Sequence, residues 1–160
     1  MTSNPNAQKF MKRAIELSRL NVESRGGGPF GAVVVLNQKI IGEGWNKVTL
    51  INDPTAHAEV EAIREACKNL SHFELAGAEI YTSCEPCPMC LAAIYWARLS
   101  KIYYANTRLD AANIQFDDEF LYQEIPKDIK SRKISMEQIG HSEALKVFEI
   151  WNQKADKVRY

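Results

Sequence analysis

The chain has 160 residues, enough for one compact domain with a real core and too few for two comfortable ones. Lysine plus arginine and aspartate plus glutamate come to 20 each, so no net field gathers polyanions, and contact with a nucleic acid would need a local basic patch. Met1 to Ala7 carries no apolar leader core, and nowhere does the chain approach the roughly 18 apolar residues of a membrane span, so a soluble cytoplasmic protein is expected.

Phe10, Met11, Ala14, Ile15, Leu17 and Val22 recur at helical spacing, which predicts an amphipathic helix over 8–24, broken by Gly26-Gly27-Gly28-Pro29. Residues 32–36 and 39–45 are β-rich runs around Asn37-Gln38 and read as an antiparallel hairpin whose second strand delivers Asn46 to a loop. Asp53-Pro54 has the form of a cap followed by a first-turn proline, predicting a helix over 53–70 with His57 and Glu59 near its start. Residues two apart diverge by about 200° on a regular helix, so the two can face one metal only where the helix is beginning.

Residues 79–83 form the next expected strand, followed by a helix over 88–98 that Pro88 starts and that is apolar nearly all round, hence expected to be buried. Residues 101–105 then complete a βαβ unit with a right-handed crossover. A helical segment over 109–122, a weak strand over 134–139 and a helix from Ser142 finish an α/β sandwich. No repeat or low-complexity tract is visible.

The chemistry is concentrated in His57-Ala58-Glu59 and, about thirty residues on, Pro86-Cys87-Pro88-Met89-Cys90. A structural zinc site takes four protein ligands, whereas a catalytic one keeps a position for water and needs a base beside it. Cys87 and Cys90, three apart, place both sulfurs on one face of a first helical turn, where the dipole favours thiolates; His57 supplies the third ligand. Two thiolates and a neutral imidazole cancel the charge of Zn²⁺, so the metal acidifies its water less than an all-histidine site does. Glu59, placed by the metal but not spent on it, can take the water proton and return it to a ring nitrogen and a departing amine. That is the H-x-E…P-C-x-x-C pattern of zinc-dependent deaminases, and the reaction expected is hydrolytic deamination.

A closed Cys₃His site using Cys84 is the alternative, opposed by Pro86, which holds Glu85 extended and carries Cys84 away from the turn. Cys67 reads as a small buried hydrophobe, and His72 and His141 as surface groups. The basic clusters over 127–133 and 154–159 are interleaved with acids and read as solvated faces.

Over nearly its whole length the chain resembles the cytidine-deaminase-like superfamily, and within it the small bacterial guanine deaminases. The stretches that carry the likeness are 28–33, 52–60, 81–90, 93–98, Asp110-Ala111-Ala112, Phe116-Asp117-Asp118 and Tyr160; the last two point to guanine. The resemblance implies one domain over 1–160, a three-layer α/β/α sandwich on a mixed five-stranded sheet, and one Zn²⁺ per subunit held by His57, Cys87 and Cys90. It implies Glu59 as proton shuttle, attack of water at C2 of guanine to give xanthine and ammonia, and a second proton-handling role for Asp118.

It also implies that Phe30, Asn46, Ala58 and Tyr160 contact the base. A homodimer would exchange its C-terminal segments, so that Tyr160 completes the partner subunit's site. On periodicity alone Phe30 and Trp96 are equally good core residues, with core the preferred place for Trp96, and Asp117 and Asp118 could simply solvate a helix. Gln115 stands where the family pattern suggests glycine. Guanosine deaminase is the second reading and tRNA adenosine deaminase the third, opposed by zero net charge and the acidic Asp117-Asp118-Glu119. A noncatalytic zinc-stabilised binding module is the fourth, disfavoured by Glu59.

Overall fold

The structure, a computed structural model, describes residues 6–160. They fall into two compact units, Met1–Asp118 and Glu119–Tyr160. The first is built on strands β1 (Gly31–Leu36), β2 (Lys39–Trp45), β3 (Glu79–Cys84) and β4 (Lys101–Asn106), in the order β2-β1-β3-β4. β1 runs antiparallel to β2 and β3, while β3 and β4 are parallel. Asn37 and Gln38 both take positive φ (50° and 63°), the backbone that a two-residue hairpin turn needs to match strand twist.

Strand alternation divides the core into two layers. Val33 and Val35 of β1 and Tyr81 of β3 face helix α1 (Ala7–Leu20), which answers with Phe10, Ala14 and Leu17. Ala32, Val34 and Ile80 face the other way, toward Ala58, Ala62 and Ala66 of α3 (Ala58–Leu70) and Ile94 of α4 (Pro88–Trp96). Between these layers runs the sheet, and the architecture is the expected α/β/α sandwich. Alanines let α3 come close to the sheet: a Cβ at Gly44 of β2 would lie 2.1 Å from the Ala58 carbonyl oxygen, so only glycine permits this approach. Tyr81 stacks on Tyr103 of β4 with centroids 4.5 Å apart, a contact worth about 1 kcal/mol beyond its buried area.

Several elements depart from expectation. The first helix ends at Leu20 and passes through a π-helical turn, Asn21–Arg25, closed by left-handed Gly26. Its inward stripe of Phe10, Ala14 and Leu17 continues to fully buried Asn21, whereas Val22 is 53% exposed. A short helix α2 (Val48–Ile51) follows Asn46. The helix expected over 109–122 is two: α5 (Arg108–Asn113) and α6 (Glu119–Glu124).

α5 opens on a Thr107 capping box, in which the Asp110 amide donates to Thr107 Oγ1 and the Thr107 amide to Asp110 Oδ2. It is closed by amides of Gln115 and Phe116 donating to Ala112 and Ala111. Gln115 takes φ 72° there, a left-handed conformation that costs a side-chain-bearing residue roughly 1–2 kcal/mol, at the position where glycine was expected.

The second unit holds α6, a 3₁₀ turn (Ile129–Ser131) and α7 (His141–Gln153). Residues 134–139 pair with nothing as a ladder among the described residues, so the sheet has four strands and not five. Alternation specifies a face but supplies no partner edge. Glu124 organises this loop instead, pairing with Lys127 and accepting the Lys133 amide at 2.5 Å.

α4 is not buried all round. Cys90 and Ile94 face inward, but Tyr95 is 71% and Trp96 62% exposed, which corrects the core placement of Trp96. No described helix is long and apolar enough to cross a membrane.

Candidate active site

Two helix starts meet at the carboxyl end of β3. α3 begins at Ala58, four residues later than Asp53-Pro54 suggested, because Asp53 turns its carboxylate onto the Thr55 amide (2.8 Å) and hydroxyl (2.7 Å) in a local turn. His57 is therefore the residue before the helix, extended at φ −74°, ψ 157°, and its imidazole makes no cap bond. That resolves the angular problem of two residues separated by one: His57 lies outside the helix and Glu59 within its first turn. Cys87 repeats the arrangement before α4, extended at φ −64°, ψ 166°, with Pro88 starting the helix and Cys90 in its first turn.

The ligand atoms of His57, Cys87 and Cys90 all lie within 4.8 Å of one another. Nδ1 of His57 stands 3.6 Å from the Cys87 sulfur and 3.4 Å from that of Cys90. The Cys90 thiol shares its proton with Cys87, which draws the Cys87 thiol down to about 4 against the opposing effect of burial, while His57 adds to the pull. Cys90 is pushed up by the same bond and then by burial. The Cys87 hydrogen bond raises His57.

Glu59 is 6% exposed, and burial is the main cause that raises its carboxyl above the ordinary range. Asp118 is half-buried and is also raised, by burial first and by the nearby Cys87 charge second. Cys84 lies outside the cluster. Its sulfur donates to the Thr107 carbonyl at 3.6 Å, and burial pushes it up to about 11, so it is held as a neutral thiol.

Phe30 and Asn46 leave adjacent ends of β1 and β2, joined by the Asn46 amide donating to the Phe30 carbonyl at 3.1 Å. The Phe116 ring meets that of Phe30 edge-on at 5.0 Å, bringing Phe116-Asp117-Asp118 against the base-contact candidates. Asn46 is buried, and its Oδ1 accepts from the Val48 amide at 3.3 Å. Ala58 is fully buried at the first turn of α3. Tyr160 belongs to the second unit and is 76% exposed. Asn21 escaped the sequence reading, although its spacing from Phe10, Ala14 and Leu17 marks an inward position.

Residues 4–106 match the family model of the cytidine and deoxycytidylate deaminase zinc-binding region. The chain belongs to that deaminase family. It is 51% identical to the guanine deaminase of Bacillus subtilis strain 168 over 155 residues, which is 97% of this chain and 99% of that protein. The X-ray structure of guanine deaminase from Bacillus subtilis superposes with a TM-score of 0.93 at 50% identity, covering 99% of both chains. A tRNA-specific adenosine deaminase of Buchnera aphidicola is 39% identical over 101 residues, 63% of this chain and 66% of that one.

One Zn²⁺ is the cofactor of this deaminase, and the donor set fits it. Tetrahedral zinc with sulfur at ~2.3 Å and nitrogen at ~2.0 Å sets sulfur and nitrogen ligands ~3.6 Å apart, the separation that His57 Nδ1 shows from both sulfurs. Held by these three residues, zinc would keep a fourth position for solvent, and Glu59, in the first turn of α3, is a buried carboxylate.

Proposed function

We propose that the chain is a zinc-dependent guanine deaminase, hydrolysing guanine to xanthine and ammonia. The observation that carries this is likeness over 97% of the chain to a guanine deaminase, against 63% for a tRNA-specific adenosine deaminase. When bound to His57, Cys87 and Cys90, zinc supplies the Lewis acidity that lets water ionise near neutral pH. Glu59 takes a proton from that water as its oxygen bonds to C2, and delivers it to the adjacent ring nitrogen. It then takes the remaining proton of the new C2 hydroxyl and passes it to the amine as the C2–N bond breaks and the C2 carbonyl forms, so guanine and water become xanthine and ammonia.

Asp118 accepts a hydrogen bond from the 2-amino group and assists its departure. Its raised proton affinity suits that exchange. Phe30, braced by Phe116, stacks on the purine, and Asn46, its Oδ1 turned to the Val48 amide, offers Nδ2 to the base edge. The backbone N–H of Ala58, at the first helical position of α3, is the donor offered to the base in this reading.

The working form in this reading is a homodimer. Tyr95, Trp96 and Tyr104 are exposed on the first unit, and Val147, Phe148 and Ile150 on α7 of the second, apolar surface of a kind that a second copy covers. Exchange of C-terminal segments would bring Tyr160 to the partner's base. Two reduced cysteines as zinc ligands suit a reducing compartment, and cytoplasmic is the location in this reading.

Ammonia release from guanine, guanosine, cytosine and a tRNA anticodon stem, measured on zinc-loaded protein, tests the assignment. Guanine should exceed each other substrate by at least about 10²-fold in kcat/KM, the discrimination a closed polar pocket achieves. Preferred turnover of the anticodon stem would replace this reading, and no turnover of any would favour a zinc-stabilised binding module. Sedimentation of the same sample should give twice 18.1 kDa.

A further inference from the structure

We propose that Asn21 is a positioning residue for substrate, whose side-chain nitrogen clamps together the two segments that carry Phe30 and Asn46. The proposal rests on the reading that those two residues hold the base. Asn21 Nδ2 donates to the Gly28 carbonyl and to the Asn46 carbonyl, each at 2.8 Å. An amide nitrogen has two protons, and both are spent on this pair. The opposite amide orientation would set Oδ1 against two carbonyl oxygens, so the surroundings fix which atom is which.

The position is fully buried at the end of an otherwise apolar stripe, and Oδ1 has no partner among the described residues. An unsatisfied buried acceptor costs about 1–3 kcal/mol, so a side chain that only filled space would be better as leucine. What asparagine adds is the fork. Phe30 N–H donates to Gly28 O at 2.8 Å and Asn46 N–H to Phe30 O at 3.1 Å, closing a ring of bonds around the fork. Beyond Asn46, the Lys47 amide reaches Ala56 O at 2.9 Å, beside His57. A shift of the Asn21 amide is therefore passed to both base-contact residues.

Gly27 supplies an independent approach to the same contact. A Cβ there would lie 2.4 Å from Asn21 Nδ2 and 2.6 Å from the Asn46 carbonyl oxygen, so alanine must displace the fork. Asn21→Ser and Gly27→Ala should each raise KM for guanine about tenfold or more while kcat per bound zinc stays within about threefold, the signature of lost binding without lost chemistry. The double variant should be no worse than the poorer single one, since both disturb one clamp.

Unchanged KM in both variants, with kcat falling only as the folded, zinc-loaded fraction falls, would overturn the proposal and leave Asn21 a structural residue. If Asn21→Ser does not fold, Gly27→Ala decides, and failure of both to fold also counts against a positioning role. Asn46→Ala separates the two layers of the argument. Raised KM there with normal KM in the other variants removes the clamp alone, whereas normal KM in Asn46→Ala removes the base-binding reading with it.

Discussion

Glu59→Gln should keep one zinc per chain and lower guanine hydrolysis roughly 10²–10⁴-fold, the range that a positioned general base contributes. Glutamine preserves the volume of a side chain that is 6% exposed, and it removes no ligand, because the metal cluster is His57, Cys87 and Cys90. What disappears is the site of proton acceptance. Burial raises the Glu59 carboxyl above its ordinary range, and in the proposed role an amide could not take the proton in its place. The check is kcat for guanine beside zinc content on one preparation. A kcat within a few-fold of the parent would mean that another group takes the water proton.

Cys90→Ala should have the other signature, loss of the metal itself. The residue is fully buried, its sulfur lies 3.4 Å from His57 Nδ1, and it is one of three protein donors. If zinc binding to a four-ligand site is worth about 10–16 kcal/mol, one donor accounts for a few of those, so zinc affinity should fall at least ~10²-fold. Activity should fall with it. Cys84→Ala is the matched control, for that sulfur donates to Thr107 O and is held neutral outside the cluster. It should retain zinc and lose about 1 kcal/mol or somewhat more of stability to the small void left behind. Competition against a chelator of known affinity measures both variants, and retention of zinc by Cys90→Ala with its loss from Cys84→Ala would show that the ligand set is wrong.

The metal cluster was legible in the sequence because coordination chemistry dictates residue type and spacing together. A histidine one residue from a carboxylate, and two cysteines in one turn behind a proline, leave few arrangements. The first hairpin was legible as two β-rich runs around Asn37-Gln38, but an all-apolar run does not say which side chains face which layer; in the fold Ala32 and Val34 go to one and Val33 and Val35 to the other. The start of α3 was not, since Asp53 can cap a helix or close a turn on Thr55, and only the tertiary setting of His57 decides.

Trp96 illustrates a second limit. A helix that is apolar all round reads as buried, but Trp96 is 62% exposed, so composition alone does not say which of its faces meets the core. The missing fifth strand is similar, an alternating pattern with no edge to join. Asn21 was hidden for the opposite reason. Polarity argued for the surface, while the spacing of Phe10, Ala14 and Leu17 pointed inward, and spacing won because the amide found two carbonyls to bond.

Zinc K-edge X-ray absorption on the metal-loaded protein tests the central claim most directly. Two sulfurs at ~2.3 Å with one nitrogen and one further light atom at ~2.0 Å are expected, the light atom being exchangeable solvent. Three sulfurs and one nitrogen would place Cys84 on the metal, close the coordination shell to water, and contradict the hydrolytic site described above.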